Sequence, residues 1–217
     1  MALPAIYADE SPLDLDKDWY TEDEYFALDS RSSDRLEFLP GGPPNPNGPR
    51  QGRVRAMSGG SPKHSALAMR LGRRLGNALE SAGSQTCEVY GSDLKVRTAD
   101  ERITLPDVSV VCGALSFYPG RRDTVTNPIF VAEVLSPSTE DDDRNEKRVS
   151  YQTLPTLQHY LLVSADRTRV EVFTRDGEGW RTETYSGRQD IIPLPALGVA
   201  LAMAELYKPA DFEQEED

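Results

Sequence analysis

Two stretches of this chain, PDVSVVC at 106–112 and PIFVAEVL at 128–135, are apolar almost without interruption. A strand with one wet face alternates apolar and polar residues, so runs of this kind are expected as strands buried on both faces. Each run nevertheless holds a carboxylate, Asp107 directly after a proline and Glu133 in the middle of VAEVL. Either acid alone reads equally well as one paired to arginine or placed at a strand end. Together they invite a cation, because ionised carboxylates are almost never buried unpaired. On neighbouring strands the two would repel unless a hard cation sat between them. Mg²⁺, or Mn²⁺ in its place, suits such a pair, since it takes oxygen ligands, keeps waters and admits a substrate phosphate to its shell.

The segment SPSTEDDDRNEKRVSYQ follows the Glu133 strand directly. A polar helix is expected from about 142 to 153, with Ser138 or Thr139 available as a cap. At spacings of three and four, Arg144, Lys147 and Tyr151 fall on one face, so Lys147 can point back toward the preceding strand. A lysine there can contact a phosphate or stabilise charge building on phosphoryl oxygens. The plainer reading is a solvated helix with ordinary Glu/Lys pairs.

Elsewhere the periodicities are simpler. Thr21 and Glu24 form a capping-box pattern that opens a short helix, and RLEFL and RVRAM read as strands around the loop PGGPPNPNGPR. Leu67, Leu71, Leu75 and Leu79 recur every four residues after Ser61-Pro62, which predicts a helix from about 62 to 81 ending before Gly83. His64 begins that helix on its apolar face, where spacing alone suggests a satisfied, partly buried histidine. TCEVY, DLKVR and QHYLLVS read as further strands, and RVEVFTR and WRTETY as a hairpin around Asp176-Gly177. His159, before LLVS, reads as structural. The fold class is α+β: a mixed sheet with helices packed on it and extra hairpins.

With 217 residues, 38% of them hydrophobic, one domain over residues 19–207 is expected, between an acidic arm over 1–18 and an acidic tail over 208–217. No apolar run reaches the roughly 20 residues of a membrane span, and a soluble cytoplasmic protein is the expectation. Cys87 and Cys112 belong to no metal-binding pattern and read as buried, reduced thiols. The net charge of −12 opposes a polyanionic partner, yet residues 1–24 carry −7 and residues 208–217 carry −4, leaving −1 for the rest. Between Arg50 and Arg74 there is no acid at all, and Arg53, Arg55, Lys63, Arg70, Arg73 and Arg74 form either a phosphate-facing surface or a solvated helix face with a charged loop.

The succession RLEFL, RAMSGGSPKHSAL, GSDLKVR, LPDVSVVC, VAEVLSPSTEDDDRNEKRVSYQTLPTLQHYLLV and RVEVFTR resembles the Uma-type restriction endonuclease family, a branch of the PD-(D/E)XK nuclease superfamily. The resemblance covers about residues 20–207. It implies a restriction-endonuclease-like core with Asp107 and Glu133 as metal-binding catalytic acids. The superfamily's usual lysine would fall at Leu135, so the plain ExK pattern is absent, and Lys147 matches the family's relocated lysine. Glu37, in RLEFL, matches an early acid that resembles a further metal ligand, although the Pro/Gly-rich insertion after it departs from the family. His64 matches a recurring histidine, placed near the phosphate or orienting a carboxylate. Asp93 and Lys95 match a recurring segment, and could equally be a simple ion pair on one strand face.

Three functions follow as expectations. The first is a Mg²⁺-dependent endonuclease acting on DNA, a homodimer by family analogy and because two cuts on a duplex suit two-fold symmetry. The second is a nucleic-acid-binding or interaction protein on a nuclease scaffold that cuts weakly or not at all. The third is a metal phosphoesterase acting on a small molecule.

Overall fold

The computed structural model of the protein describes residues 17–43, 48–57 and 59–208. Most of the acidic arm and tail, and part of the Pro/Gly-rich loop, lie outside the described residues. The chain divides into two compact units, the first ending at Ser58 and including Glu101–Thr104, the second comprising Gly59–Asp100 and the described residues from Leu105 on.

The first unit opens with β1 (Tyr20–Thr21) and α1 (Glu22–Asp29). Its capping box forms as the sequence suggests: Thr21 Oγ1 accepts from the Glu24 amide, and Glu24 Oε2 accepts from the Thr21 amide. Then come β2 (Leu36–Pro40), β3 (Gln51–Ala56) and the short β6 (Ile103–Thr104), paired antiparallel with β3 between β1 and β2, and β6 beyond β2. The ring of Phe38 lies against the backbone of Gly52, where a Cβ would fall 2.7 Å from the ring and 2.5 Å from the Leu39 carbonyl. Only glycine fits this pairing.

The second unit is built on a six-stranded sheet in the order β12-β11-β10-β9-β7-β4. In chain order its elements are α2 (Pro62–Ser81), β4 (Cys87–Gly91), β5 (Lys95–Arg97), β7 (Val108–Cys112), β8 (Thr124–Val125), β9 (Phe130–Leu135), α3 (Glu140–Arg144), α4 (Glu146–Gln152) and β10 (His159–Ser164). The hairpins β11 (Val170–Asp176) with β12 (Gly179–Tyr185) and β13 (Ile191–Leu194) with β14 (Val199–Ala202) follow, and α5 (Met203–Leu206) ends the fold. Strand β10 runs parallel to β9 and the other ladders of the sheet are antiparallel. A parallel pair needs a crossover, and α3 and α4 supply it.

Both faces of the central strands are buried, as their apolar runs require. On one side Leu67, Leu71, Leu75 and Leu79 of α2 pack with Val108, Val110, Phe130, Ala132 and Val134. On the other, Val131 and Leu135 of β9 pack with Tyr151, Leu154, Tyr160 and Leu162. Each fully buried leucine of α2 contributes roughly 1.5–3 kcal/mol, which fixes the helix on this face far more firmly than its intrinsic propensity would.

Two expectations are corrected. The polar helix begins earlier, at Glu140, and is broken at Asn145, whose backbone (φ −113°, ψ −90°) leaves the helical region. The cysteines are neither reduced nor fully buried: Cys87 and Cys112 stand opposite each other across β4 and β7 and form a disulfide. Antiparallel register, invisible in the spacing of two distant thiols, brings them together.

Candidate active site

Asp107 and Glu133 meet across the β7–β9 ladder. Val108 pairs with Ala132, so Asp107, one residue earlier, stands opposite Glu133. Each acid also grips the other's strand. The Asp107 amide donates to Glu133 Oε2 (3.3 Å), and the Val134 amide donates to Asp107 Oδ2 (2.8 Å). Glu133 is 3% exposed. Strand alternation sends its side chain to the face that carries Tyr151, whose hydroxyl donates to Glu133 Oε1 (2.9 Å).

Lys147 projects from α4 onto the same carboxylate. Its Nζ lies 3.1 Å from Glu133 Oε1 and 3.1 Å from Asp143 Oδ1, and all three side chains are almost wholly buried. Asp143, the last of three successive aspartates, is not among the candidate residues that the sequence singles out. The available signal was its i,i+4 spacing to Lys147. Asp143 Oδ1 makes no hydrogen bond of good geometry in spite of that short distance, so the contact is an ion pair first. Burial raises the Asp143 pKa, opposed chiefly by the charge of Lys147. The Tyr160 hydroxyl donates to the Asp143 carbonyl (2.9 Å) and holds the end of α3 against the sheet.

Lys147 and Tyr151 thus share a helix face directed at Glu133, but Arg144 does not join them. The break at Asn145 separates it from their helix, and it pairs with Glu140 and Glu171, each at 2.7 Å. The Arg144 carbonyl accepts from Arg148 Nε.

From the opposite face of the sheet, His64 on the first turn of α2 places Nε2 3.2 Å from Asp107 Oδ2. Hydrogen bonding to Asp107 raises its pKa, burial opposes, and the charges of Asp107 and Asp143 add to the rise. The ring packs on Gly60, where a Cβ would stand 2.7 Å from Nδ1. Of the two roles expected for His64, orienting a carboxylate is the one this contact serves.

The remaining candidates make other contacts. Glu37 belongs to the first unit, where it is 1% exposed and accepts from Arg55 Nη2 and Thr104 Oγ1, each at 2.5 Å. Asp93 sits in the turn before β5, whereas Lys95 pairs with Asp123 (3.4 Å). Much of the basic stretch has internal partners: Arg53 lies over the Trp19 ring, Arg55 pairs with Glu37, Arg70 donates to the Leu206 carbonyl, and Arg74 faces Glu205 at 3.6 Å. Arg73 is exposed and Lys63 half-buried. His159 is structural: its Nε2 accepts from the Ala196 amide, so Nδ1 carries the proton toward Thr174 Oγ1. Burial lowers its pKa to about 4.

Among the described residues, no three His, Cys, Asp or Glu side chains converge as a metal cluster. The donor set nonetheless fits a divalent cation of the Mg²⁺ kind. Three carboxylates face one lysine and one histidine, so the group keeps an excess of negative charge even with both cations protonated. Asp107 Oδ1 accepts no hydrogen bond from the described residues, and the side chain keeps 12% exposure. One or two carboxylates suffice for Mg²⁺, with waters and substrate oxygens completing the shell.

A mixed sheet flanked by helices gives the α+β, restriction-endonuclease-like fold class expected from the sequence. The chain belongs to the Uma2 family, described as "Putative restriction endonuclease", whose model matches residues 48–204. Two uncharacterized proteins of Synechocystis sp. are similar to it: one is 32% identical over 88% of this chain and 92% of its own length, the other 33% identical over 73% and 82%. A crystal structure from Anabaena variabilis, described as a "putative nuclease belonging to DUF820", superposes with a TM-score of 0.67 at 17% identity, covering 86% of this chain and 97% of that one. That likeness establishes the fold.

Proposed function

We propose that this protein is a metal-dependent endonuclease that hydrolyses DNA phosphodiester bonds. The observation that carries the reading is the buried junction of Asp107, Glu133 and Lys147, an arrangement with no structural necessity on a sheet otherwise closed by apolar packing. Membership of a family described as "Putative restriction endonuclease" supports the substrate class.

Asp107 and Glu133 would hold the metal, with Mg²⁺ or Mn²⁺ the fitting ions. When bound, such an ion lowers the pKa of its water and draws charge from phosphoryl oxygens. Lys147, kept charged and aimed by Glu133 and Asp143, donates to a non-bridging phosphoryl oxygen as negative charge builds there. Tyr151 fixes the Glu133 carboxylate and His64 fixes that of Asp107, so neither must reorganise during the reaction. Asp143 is a positioning residue that acts through Lys147.

Incubation with plasmid and linear DNA in Mg²⁺ or Mn²⁺ tests the reading. Metal-dependent cleavage, abolished by EDTA and not competed by small phosphodiesters, is the expected result. A second reading is favoured by one observation: Glu133 already has Lys147 and Tyr151 as partners without any metal. On that reading the protein binds DNA in EDTA and does not cut it whichever metal is supplied. A homodimer is the proposed assembly, which sedimentation tests.

A further inference from the structure

The segment from Ala114 to Asn127 forms a tightly stitched hairpin outside the residues given a catalytic role. Phe117 bridges Val125, the Tyr118 amide donates to the Thr124 carbonyl, and the Thr126 amide donates to the Ser116 carbonyl. Asn127 closes the base, its Oδ1 accepting from the Ser116 amide and its Nδ2 donating to the Ala114 carbonyl. At the tip, the Arg121 amide donates to the Tyr118 carbonyl around Pro119 and Gly120, whose φ of +78° is the left-handed conformation a type II turn requires.

This rigid device presents an unusual pair of groups. Phe117 is 42% exposed although the hairpin holds it in register, and Arg122 is exposed at the tip. Alongside, β5 pairs parallel with β8 and adds Lys95 and Arg97, the latter stacked 4.4 Å over the Tyr118 ring. Arg121 makes two hydrogen bonds to Asp123, which also faces Lys95. These elements therefore carry four cations, Lys95, Arg97, Arg121 and Arg122, and one carboxylate, Asp123, in a chain whose net charge is −12. Leu115 and Val125 pack on the core that includes Tyr151, so the hairpin stands on the sheet face that carries Glu133.

We infer that this hairpin is a nucleic-acid contact surface for a single-stranded segment, with an unpaired base stacked on Phe117 and the sugar–phosphate backbone along Arg122, Arg121, Arg97 and Lys95. The choice of occupant rests on the nuclease reading. The chemistry is that of single-strand binding generally: an exposed aromatic face offers stacking to any unpaired base, and flanking cations follow the phosphates. A duplex, whose bases are already stacked, cannot use the ring. The surface thus gives the protein a preference for DNA with unpaired or frayed segments.

Fluorescence anisotropy of a labelled single-stranded oligonucleotide and of its duplex, in EDTA, tests this separately from catalysis. The wild type binds the single strand more tightly, Phe117→Ala weakens it roughly tenfold, and Arg122→Glu weakens both probes and lowers the salt dependence by about one phosphate contact. Both positions are exposed, so unchanged thermal midpoints accompany these losses. Equal binding by wild type and both variants, tighter binding of the duplex, or no binding of the single strand overturns the inference. Cleavage assays report on the nuclease reading independently: binding with these properties but no cleavage removes that reading alone.

Discussion

Asp107 and Glu133 each accept a hydrogen bond from the backbone of the other's strand, Glu133 from the Asp107 amide and Asp107 from the Val134 amide. The two carboxylates are thus locked by the same ladder that joins β7 to β9. Their spacing is a property of the sheet rather than of flexible side chains, which is what pre-organised metal ligands require.

From this lock follows a metal-binding prediction. Calorimetric titration of wild type with Mn²⁺ should show saturable binding that Asp107→Ala and Glu133→Ala each weaken at least tenfold, with the fold retained in the first. His64→Ala should weaken it less, through loss of the contact to Asp107. Equal binding by all variants would place the ion elsewhere.

Lys147 compensates two buried carboxylates, so Lys147→Met should destabilise the protein by about 3–5 kcal/mol near neutral pH. The sign of its pH dependence is fixed. Without the ammonium, the chief influence opposing the burial that raises the Asp143 pKa is gone, and stability falls as pH rises through that raised folded-state value. Thermal midpoints should therefore lie closer to wild type at about pH 5 than at about pH 8. A deficit independent of pH would show that these carboxylates do not depend on Lys147.

Asp143→Asn should leave the fold intact and lower kcat by roughly 10–100-fold with little change in KM, the pattern expected of a group that aims another. Parallel loss of binding would contradict a positioning role.

His159 is neutral in the fold, with a pKa of about 4 against about 6.5 unfolded. A depressed histidine favours the unfolded state as pH falls through the unfolded value, so stability should decline between about pH 6.5 and 4, by up to about 3 kcal/mol. His159→Gln should flatten that part of the profile measured by urea unfolding, at some cost in stability throughout.

Much of this architecture is legible in the sequence. The apolar runs identify the central strands, the leucine spacing identifies α2, and Glu133 and Asp107 stand out because carboxylates are costly in such company. Lys147 and Tyr151 follow from helical spacing. Other features depend on pairing that no local pattern encodes. The Cys87–Cys112 bond needs the β4–β7 register, Arg144 leaves the site because Asn145 breaks the helix, and Asp143 is buried where Tyr160 of β10 holds the end of α3. Glu101–Thr104, a short segment from the middle of the chain, joins the first unit through β6, a pairing that no local pattern announces.

The disulfide closes a loop with a sequence separation of 25, and its reduction should lower stability by about 3 kcal/mol on the chain-entropy account. Thiol titration of the unfolded protein without reductant should find no free thiol. Two free thiols, and a melting curve unmoved by reductant, would count against the bond.

The central claim is tested most directly by plasmid cleavage with Mg²⁺ or Mn²⁺, comparing wild type with Asp107→Ala and Lys147→Ala at matched concentrations. The prediction is cleavage by the wild type and a loss of about a hundredfold or more in each variant. Activity that survives both substitutions would contradict it.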